Sequence, residues 1–316
     1  MIQIELFQPT RHNQAWDDFV LSAKNGHFMF CRKYMDYHSD RFVDNSLIFS
    51  IEGHIQALLP ANIADNVLYS HQGLTFGGII SNSHMTSLLM VNIVDKLITY
   101  LKNSLIKKLV YKHIPYIYSI LPAQEDLYAL CNKGAKLYRI DVSSTINLED
   151  RIEFSSRRKR GVKKALKTNL SVIKSNNYEA FYLILVETLK IKHSTTPTHS
   201  LAEIELLASR FPDNISLYVT INQVGQLLAA VLMFEMNHWA HAQYIVSSEQ
   251  GREVGALDLL FYELIHNIYT HKKFFDFGIS TESQGKVLNN GLITQKEEFG
   301  GRTVVHNFFE LNIESC

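Results

Sequence analysis

Apolar and polar positions alternate, or recur at helical spacing, along almost the whole chain, and they fall into two successive runs of mixed strands and helices. In the first run, Ile2–Leu6 reads as a strand, with Trp16, Phe19 and Val20 at helical spacing behind it. Apolar stretches at residues 47–51 and 55–59 flank Glu52-Gly53, which marks a hairpin. A long helical stripe covers 85–105, and a strand at 109–113 ends at Pro115. A helix over 125–132 stops at Lys133-Gly134, and a strand over 136–146 closes the run.

The second run begins with a strand at 170–174 and helices at 178–190 and 201–210, joined by the polar loop HSTTPTHS. A hairpin over 215–222 and 227–235 turns at Val224-Gly225, and a strand at 238–248 follows. Strict alternation on that strand places Trp239, His241, Gln243 and Ile245 on one face and Tyr244 and Val246 on the other. In residues 255–311, Gly255-Ala256 opens a helix whose apolar side carries Leu257, Leu260, Phe261, Leu264, Ile265 and Ile268. A strand at Phe274–Ile279, the punctuating glycines 285, 291, 300 and 301, and a last strand near 304–311 complete it. The pattern predicts an α/β chain with mixed sheets in two domains, 1–148 and 149–316, and 316 residues with 46% hydrophobic content are enough for two cores.

Charge narrows the classes of partner. Lys plus Arg and Asp plus Glu number 31 each, so no global field draws in a polyanion and any phosphate site must be local. One local candidate stands out: seven of the eleven residues from 157 to 167 are Lys or Arg, behind the capping serines 155 and 156, and the run shows no acidic partner. A solvated basic face is the plain alternative. Three cysteines (31, 131, 316) without metal-type spacing read as free thiols in a reducing compartment, and no metal is expected. No basic start precedes an apolar run and no stretch reaches transmembrane length, so a cytoplasmic chain with no membrane partner is expected.

The ordered motifs carry a resemblance. Gly255-Ala256, FDFG at 275–278, Asn290-Gly291-Leu292, Lys296 and Phe299-Gly300-Gly301 resemble the C-terminal half of FemAB-like proteins of the GNAT acyltransferase superfamily. Trp16, Phe28, Tyr34 and the GLTFGG run at 73–78 resemble their N-terminal half. Arg160, Lys163 or Lys164, Ala165 and Lys167 follow the pattern of the basic helix that begins the second domain in that family. The resemblance implies two tandem GNAT-like domains with a cleft between them. It further implies acyl-CoA as co-substrate, pairing with the freed edge of a splayed strand.

On that reading Tyr244, Ile245 and Val246 present backbone to the thioester arm, and Arg252, Gly255 and Ala256 meet the pyrophosphate, with Asn290 nearby. Arg252 and the two small residues stand where the superfamily has Arg or Gln, two residues, Gly, one residue and a small residue; here the second small residue comes one place early.

An amine attacks a thioester only when unprotonated, so a base is needed, and His241 and Asp276 are the candidates. A histidine that only hydrogen-bonds within the sheet, and a carboxylate that ties down the Gly291 or Lys296 region, are the alternatives. Lys296 and Glu298 can also pair on a helix surface. The acceptor is expected at Tyr34, His71, Gln72, Thr75 and Gln243, with Arg157, Arg160, Lys163 and Lys164 for a diphosphate.

The overall look is of the sugar N-acyltransferases that modify dTDP-linked 3-amino-3,6-dideoxyhexoses for bacterial surface polysaccharide, with a nucleotide sugar as partner and no nucleic acid. An aminoacyl-tRNA-dependent ligase acting on a peptidoglycan precursor, and a non-catalytic nucleotide- or RNA-binding module on a degenerate GNAT fold, stay open.

Overall fold

In the computed structural model, which describes every residue but Ser194 and Thr195 and no side chain from 191 to 195, the chain divides into two compact units. The first comprises Met1–Asp141, Ser283–Lys286 and Val305–Cys316, and the second Val142–Glu282 and Val287–Val304. Each has sheet strands with helices packed on them, so the α/β expectation holds.

In the first unit, Ile2–Leu6, Leu47–Ile51, His54–Leu59 and Ile80–Ser81 form an antiparallel sheet in that order. The hairpin turns at Glu52 and Gly53, with φ of 51° and 79°, the left-handed pair that a two-residue turn requires. Further strands at Val43–Asp44, Asn62–Ala64, Val67–Tyr69 and Lys108–Lys112 are joined by the last strand, Arg302–Asn312. The helix Ser87–Asn103, capped by Thr86, buries Met90, Ile93, Val94, Leu97 and Leu101 against Leu109 and Leu311.

In the second unit, Ser171–Ser175, Ile215–Ile221, Leu227–Met236, Trp239–Ser247, Phe274–Ile279 and residues 142–147 of Lys136–Asn147 lie side by side in that order. All neighbours are antiparallel except Trp239–Ser247 and Phe274–Ile279. Ala240, Ala242, Val231 and Met233 on the sheet pack against Leu260, Phe261 and Leu264 of the following helix and against Phe275, Phe277 and Phe299. The helix Tyr178–His193 packs on Trp239–Ser247 as well, with Phe181 and Leu185 buried. Of the polar loop at 193–200, Ser194 and Thr195 lie outside the described residues, and Ser200 closes a capping box with Glu203.

Two local expectations are corrected. The helix does not begin at Gly255: the chain is already helical over Glu249–Val254 behind the cap Ser248. Gly255 is the left-handed break, φ 77°, before Ala256–Glu263. Nor does alternation survive along 239–247. Tyr244 pairs with Leu232 and Ala242 with Met233, leaving Gln243 as a bulge. The extra residue reverses the faces, so Ile245 joins Ala240 and Ala242 on the core side rather than His241.

Candidate functional site

The parallel pair in the second unit opens. Trp239 pairs with Phe274, Ala240 with Phe275 and His241 with Asp276, and no further pair between these strands forms among the described residues. The strands run on to Ser247 and Ile279 with their facing edges apart, which leaves backbone groups to be satisfied by something other than each other. A cavity of about 170 Å³ lies here, walled by Ile245, Val246 and Ser247 from one strand, Phe277 from the other, Leu257 and Phe261 from the helix behind Gly255, and Leu292, Gln295, Lys296 and Phe299. Thr188 and Arg252 complete the lining.

At the last pair before the strands part, His241 Nδ1 lies 2.6 Å from Asp276 Oδ2. The carboxylate is wholly buried, and it also accepts Ser143 Oγ (2.6 Å), Thr145 Oγ1 (2.7 Å) and the Gly278 N–H (3.1 Å). A carboxylate bound by such donors is an acceptor, so the proton sits on Nδ1 and Nε2 is the basic nitrogen of the ring. Gly278 has φ 77°, and a Cβ there would come within 3.2 Å of the His241 ring, so the glycine gives the imidazole its place. The two candidate bases are thus one hydrogen-bonded pair, in which Asp276 orients His241.

Lys296 is the residue that the sequence undervalues. It does not pair with Glu298 on a surface: it is buried in the cavity wall, and its Nζ donates to the carbonyls of Gly278 and Ile279, both at 2.8 Å. Burial pushes its pKa down to about 8, against the pull of Asp276. Two of its three donors hold the chain just past Asp276 in place, and the third is uncommitted among the described residues. Asn290 stands exposed at the first position of the same helix, Asn290–Glu298, which Asn289 caps.

The residues expected around a pyrophosphate are placed unevenly. Arg252 lines the cavity, with its guanidinium on the Ser247 carbonyl at 2.8 Å. Gly255 and Ala256 are buried, and the Gly255 N–H is already given to the Gly251 carbonyl. A Cβ on Gly255 would lie 2.5 Å from the Gly161 carbonyl oxygen, so this glycine answers to the basic helix Ser156–Lys167. Tyr244 turns its hydroxyl to His199, 2.7 Å from Nδ1, while Gln243 sits in the bulge.

The basic helix does have acidic partners, and they divide it. Arg158 donates to Asp258 (2.9 Å) and forms an ion pair with Glu298 (2.7 Å), its guanidinium 4.6 Å over Phe299; Arg157 lies 3.7 Å from Glu298, and Lys159 pairs with Glu153 at 2.8 Å. Arg160, Lys163, Lys164 and Lys167 are exposed and make no ion pair among the described residues. Their spacing puts them along one side of the helix. Asp258 and Glu298 lie 100 or more residues from Arg158, which is why the run reads as unpartnered.

In the first unit, Tyr34 is buried against Phe28 and Tyr37, with ring centroids 5.6 and 5.4 Å away. His71 adopts φ 67° and packs on His38 and Phe42; burial and His38 push its pKa down to about 3, so its imidazole is neutral at physiological pH. Gln72 is exposed but tied to Asn62 through both its amide N–H (2.7 Å) and its side-chain oxygen (2.8 Å), and Thr75 is half-buried. These four belong to the first unit, and the remaining candidates to the second. The Cys31 thiol is buried and pushed up to about 12, far from thiolate character at neutral pH.

No protein-family model matches the sequence, and no curated protein does. Among solved structures the chain is similar to FemX, with a TM-score of 0.71 and 12% identity over 98% of this chain and 97% of that one. It is similar to the C-terminal domain of a putative lysylphosphatidylglycerol synthetase from Agrobacterium fabrum, with a TM-score of 0.64 and 11% identity over 96% and 92% of the two chains. A tandem GNAT protein from the clavulanic acid biosynthesis pathway gives 0.53 and 10% over 99% of each. At such identities the likeness speaks for architecture, and the architecture of this chain is that of the tandem GNAT-fold proteins.

Proposed function

We propose that the chain is an N-acyltransferase that moves an acyl group from acyl-CoA to the amine of an acceptor by direct attack. The observation that carries the reading is the opening between the parallel strands: edges that no longer pair with each other, a cavity whose apolar wall is interrupted by Arg252 and Lys296, and a histidine–carboxylate pair where the strands part. An extended thioester arm fits along the Tyr244–Ser247 side of the opening, while on the other side Lys296 holds the Gly278 and Ile279 carbonyls. His241, held by Asp276, takes a proton from the acceptor ammonium. The amine nitrogen then attacks the thioester carbon, the C–S bond breaks, and the proton shed by the attacking nitrogen goes to the sulfur, which leaves as the thiol. Lys296 is cationic below pH 8 and has one donor to spare, which suits stabilisation of the oxyanion. Arg252 at the cavity margin suits a diphosphate.

For the acceptor we propose a nucleotide-linked amino sugar of the dTDP-3-amino-3,6-dideoxyhexose kind. The exposed cationic side of the basic helix, Arg160, Lys163, Lys164 and Lys167, favours a second reading as well: a donor carried on RNA, an aminoacyl-tRNA. One assay separates them. Release of free thiol from acetyl-CoA, dependent on an amino-sugar nucleotide and indifferent to ribonuclease, supports the first. Transfer only from charged tRNA, abolished by ribonuclease, replaces it with the second. Turnover with neither leaves a non-catalytic binding module.

A further inference from the structure

The first unit repeats the strand arrangement that frames the cavity in the second. Val67–Tyr69 runs parallel to Lys108–Lys112 through Val67–Lys108, Leu68–Leu109 and Tyr69–Val110, three pairs, as the second unit has. An antiparallel neighbour flanks each side, Asn62–Ala64 beyond one strand and Arg302–Asn312 beyond the other. In the second unit the continuation of these strands is an open slot. Here it is full of the protein's own chain.

Past Tyr69 the backbone turns into residues 70–78, and its polar groups satisfy the facing edges. The Ser70 N–H donates to the Val110 carbonyl (2.9 Å), the Lys112 N–H to Ser70 Oγ (2.7 Å), and the Gly77 N–H to the Lys112 carbonyl (3.3 Å). The Ile79 N–H reaches Tyr111 Oη at 2.6 Å. The fit excludes side chains: a Cβ on Gly77 would stand 1.9 Å from the Ser70 carbonyl oxygen, and one on Gly78, with φ 96°, would stand 2.8 Å from Tyr111 Oη. Leu74 and Phe76 are buried, and Phe76 stacks on Tyr118 at 4.4 Å. Across the segment Lys112 Nζ donates to the carbonyls of Leu74 (2.6 Å) and Gln72 (3.2 Å), as Lys296 does to Gly278 and Ile279 in the other unit.

We propose that the chain has a single acyl-donor site, in its second unit, because residues 70–78 occupy the equivalent slot of the first and Lys112 locks them there. The proposal rests on the donor reading of the second unit and adds which of two like slots is open. It also makes Lys112 a positioning residue for the loop that carries His71, Gln72 and Thr75.

Titration calorimetry of the full chain with desulfo-CoA counts the sites, in the wild type and in Ile245→Trp, which fills the second-unit cavity. One molar equivalent in the wild type and none in the variant is expected. Two equivalents, or one retained in the variant, overturns the proposal. Amide hydrogen exchange tests the closure without any ligand, so a failure of the donor reading does not hide it. The Gly77 and Ile79 amides are expected to exchange as slowly as those of Leu109 and Tyr111, which lie opposite Leu311 and Phe309 of the last strand, and Lys112→Met to speed the first two at least tenfold while the Leu109 and Tyr111 amides are unchanged. Fast exchange of both amides in the wild type overturns the closure whatever the titration gives, and unchanged exchange in Lys112→Met overturns the lock.

Discussion

Replacing Lys296 by Met separates catalysis from folding, because the two effects on stability oppose each other. Holding the ammonium in the cavity wall lowers its pKa from 10.5 to about 8, which at neutral pH costs the fold about 3 kcal/mol. Met relieves that cost and keeps most of the length. It also leaves the Gly278 and Ile279 carbonyls without their donor, a loss of about 1 to 3 kcal/mol each. Net stability at pH 7 should therefore lie between about 1 kcal/mol above and about 3 kcal/mol below the wild type, readable as a Tm shift of a few degrees. The rate is another matter, since loss of an oxyanion donor lowers kcat about 100- to 1,000-fold.

The pH dependence gives the same residue a second signature. The folded chain releases this proton near 8 and the unfolded chain near 10.5, so between those values the unfolded state holds more protons and stability rises with pH. The wild type should show that rise in denaturant titrations at pH 7, 8.5 and 10, and in Lys296→Met it should be smaller but not absent, because burial holds Lys112 near 8 as well. Over the same range wild-type kcat should fall as the ammonium is lost. A variant with kcat within threefold of wild type, or a wild-type kcat that is flat through pH 9, refutes the role of Lys296 as donor to the reaction.

Three further outcomes follow from the site. His241→Asn should lower kcat about 100- to 10,000-fold with a smaller change in KM; near-normal kcat at neutral pH would leave His241 a structural partner of Asp276. Gly255→Val should cost several kcal/mol in denaturant titration, because the new Cβ meets the Gly161 carbonyl at 2.5 Å on a backbone at φ 77°; a fully stable variant would contradict that contact. Arg158→Ala should lower stability by about 3 kcal/mol by stranding Asp258 and leaving Glu298 only the more distant Arg157, whereas Arg160→Ala should leave Tm unchanged and raise KM for the phosphorylated substrate about tenfold; equal effects would mean that the helix is not divided.

Local pattern carried much of the architecture. The helices Glu125–Asn132 and Leu201–Arg210 lie where apolar spacing and stop signals put them, and the Glu52-Gly53 hairpin follows from turn chemistry. What resisted reading was set by distant neighbours. Arg158 looks like any other charge in the run until Asp258 and Glu298 arrive from elsewhere in the chain. Lys296 looks like a helix-surface lysine because its partners are main-chain carbonyls, which have no sequence signature. Gly255 resembles a phosphate-loop glycine, and the close approach it serves is to another helix. The Glu249–Val254 helix is short and polar, without the apolar repeat that would reveal it.

The bulge at Gln243 works as a phase shifter for the strand that carries it. Upstream of it, His241 keeps the parity that meets Asp276; downstream, Ile245 keeps the parity that meets the core and the cavity. A regular strand serves only one of these, since the two residues stand four apart and share a face. The polar chemistry and the apolar wall are therefore compatible on one strand only because one residue is out of step. Deleting Gln243 restores the alternation and so uncouples them without changing any side chain at either end, while a substitution there changes a side chain and keeps the phase.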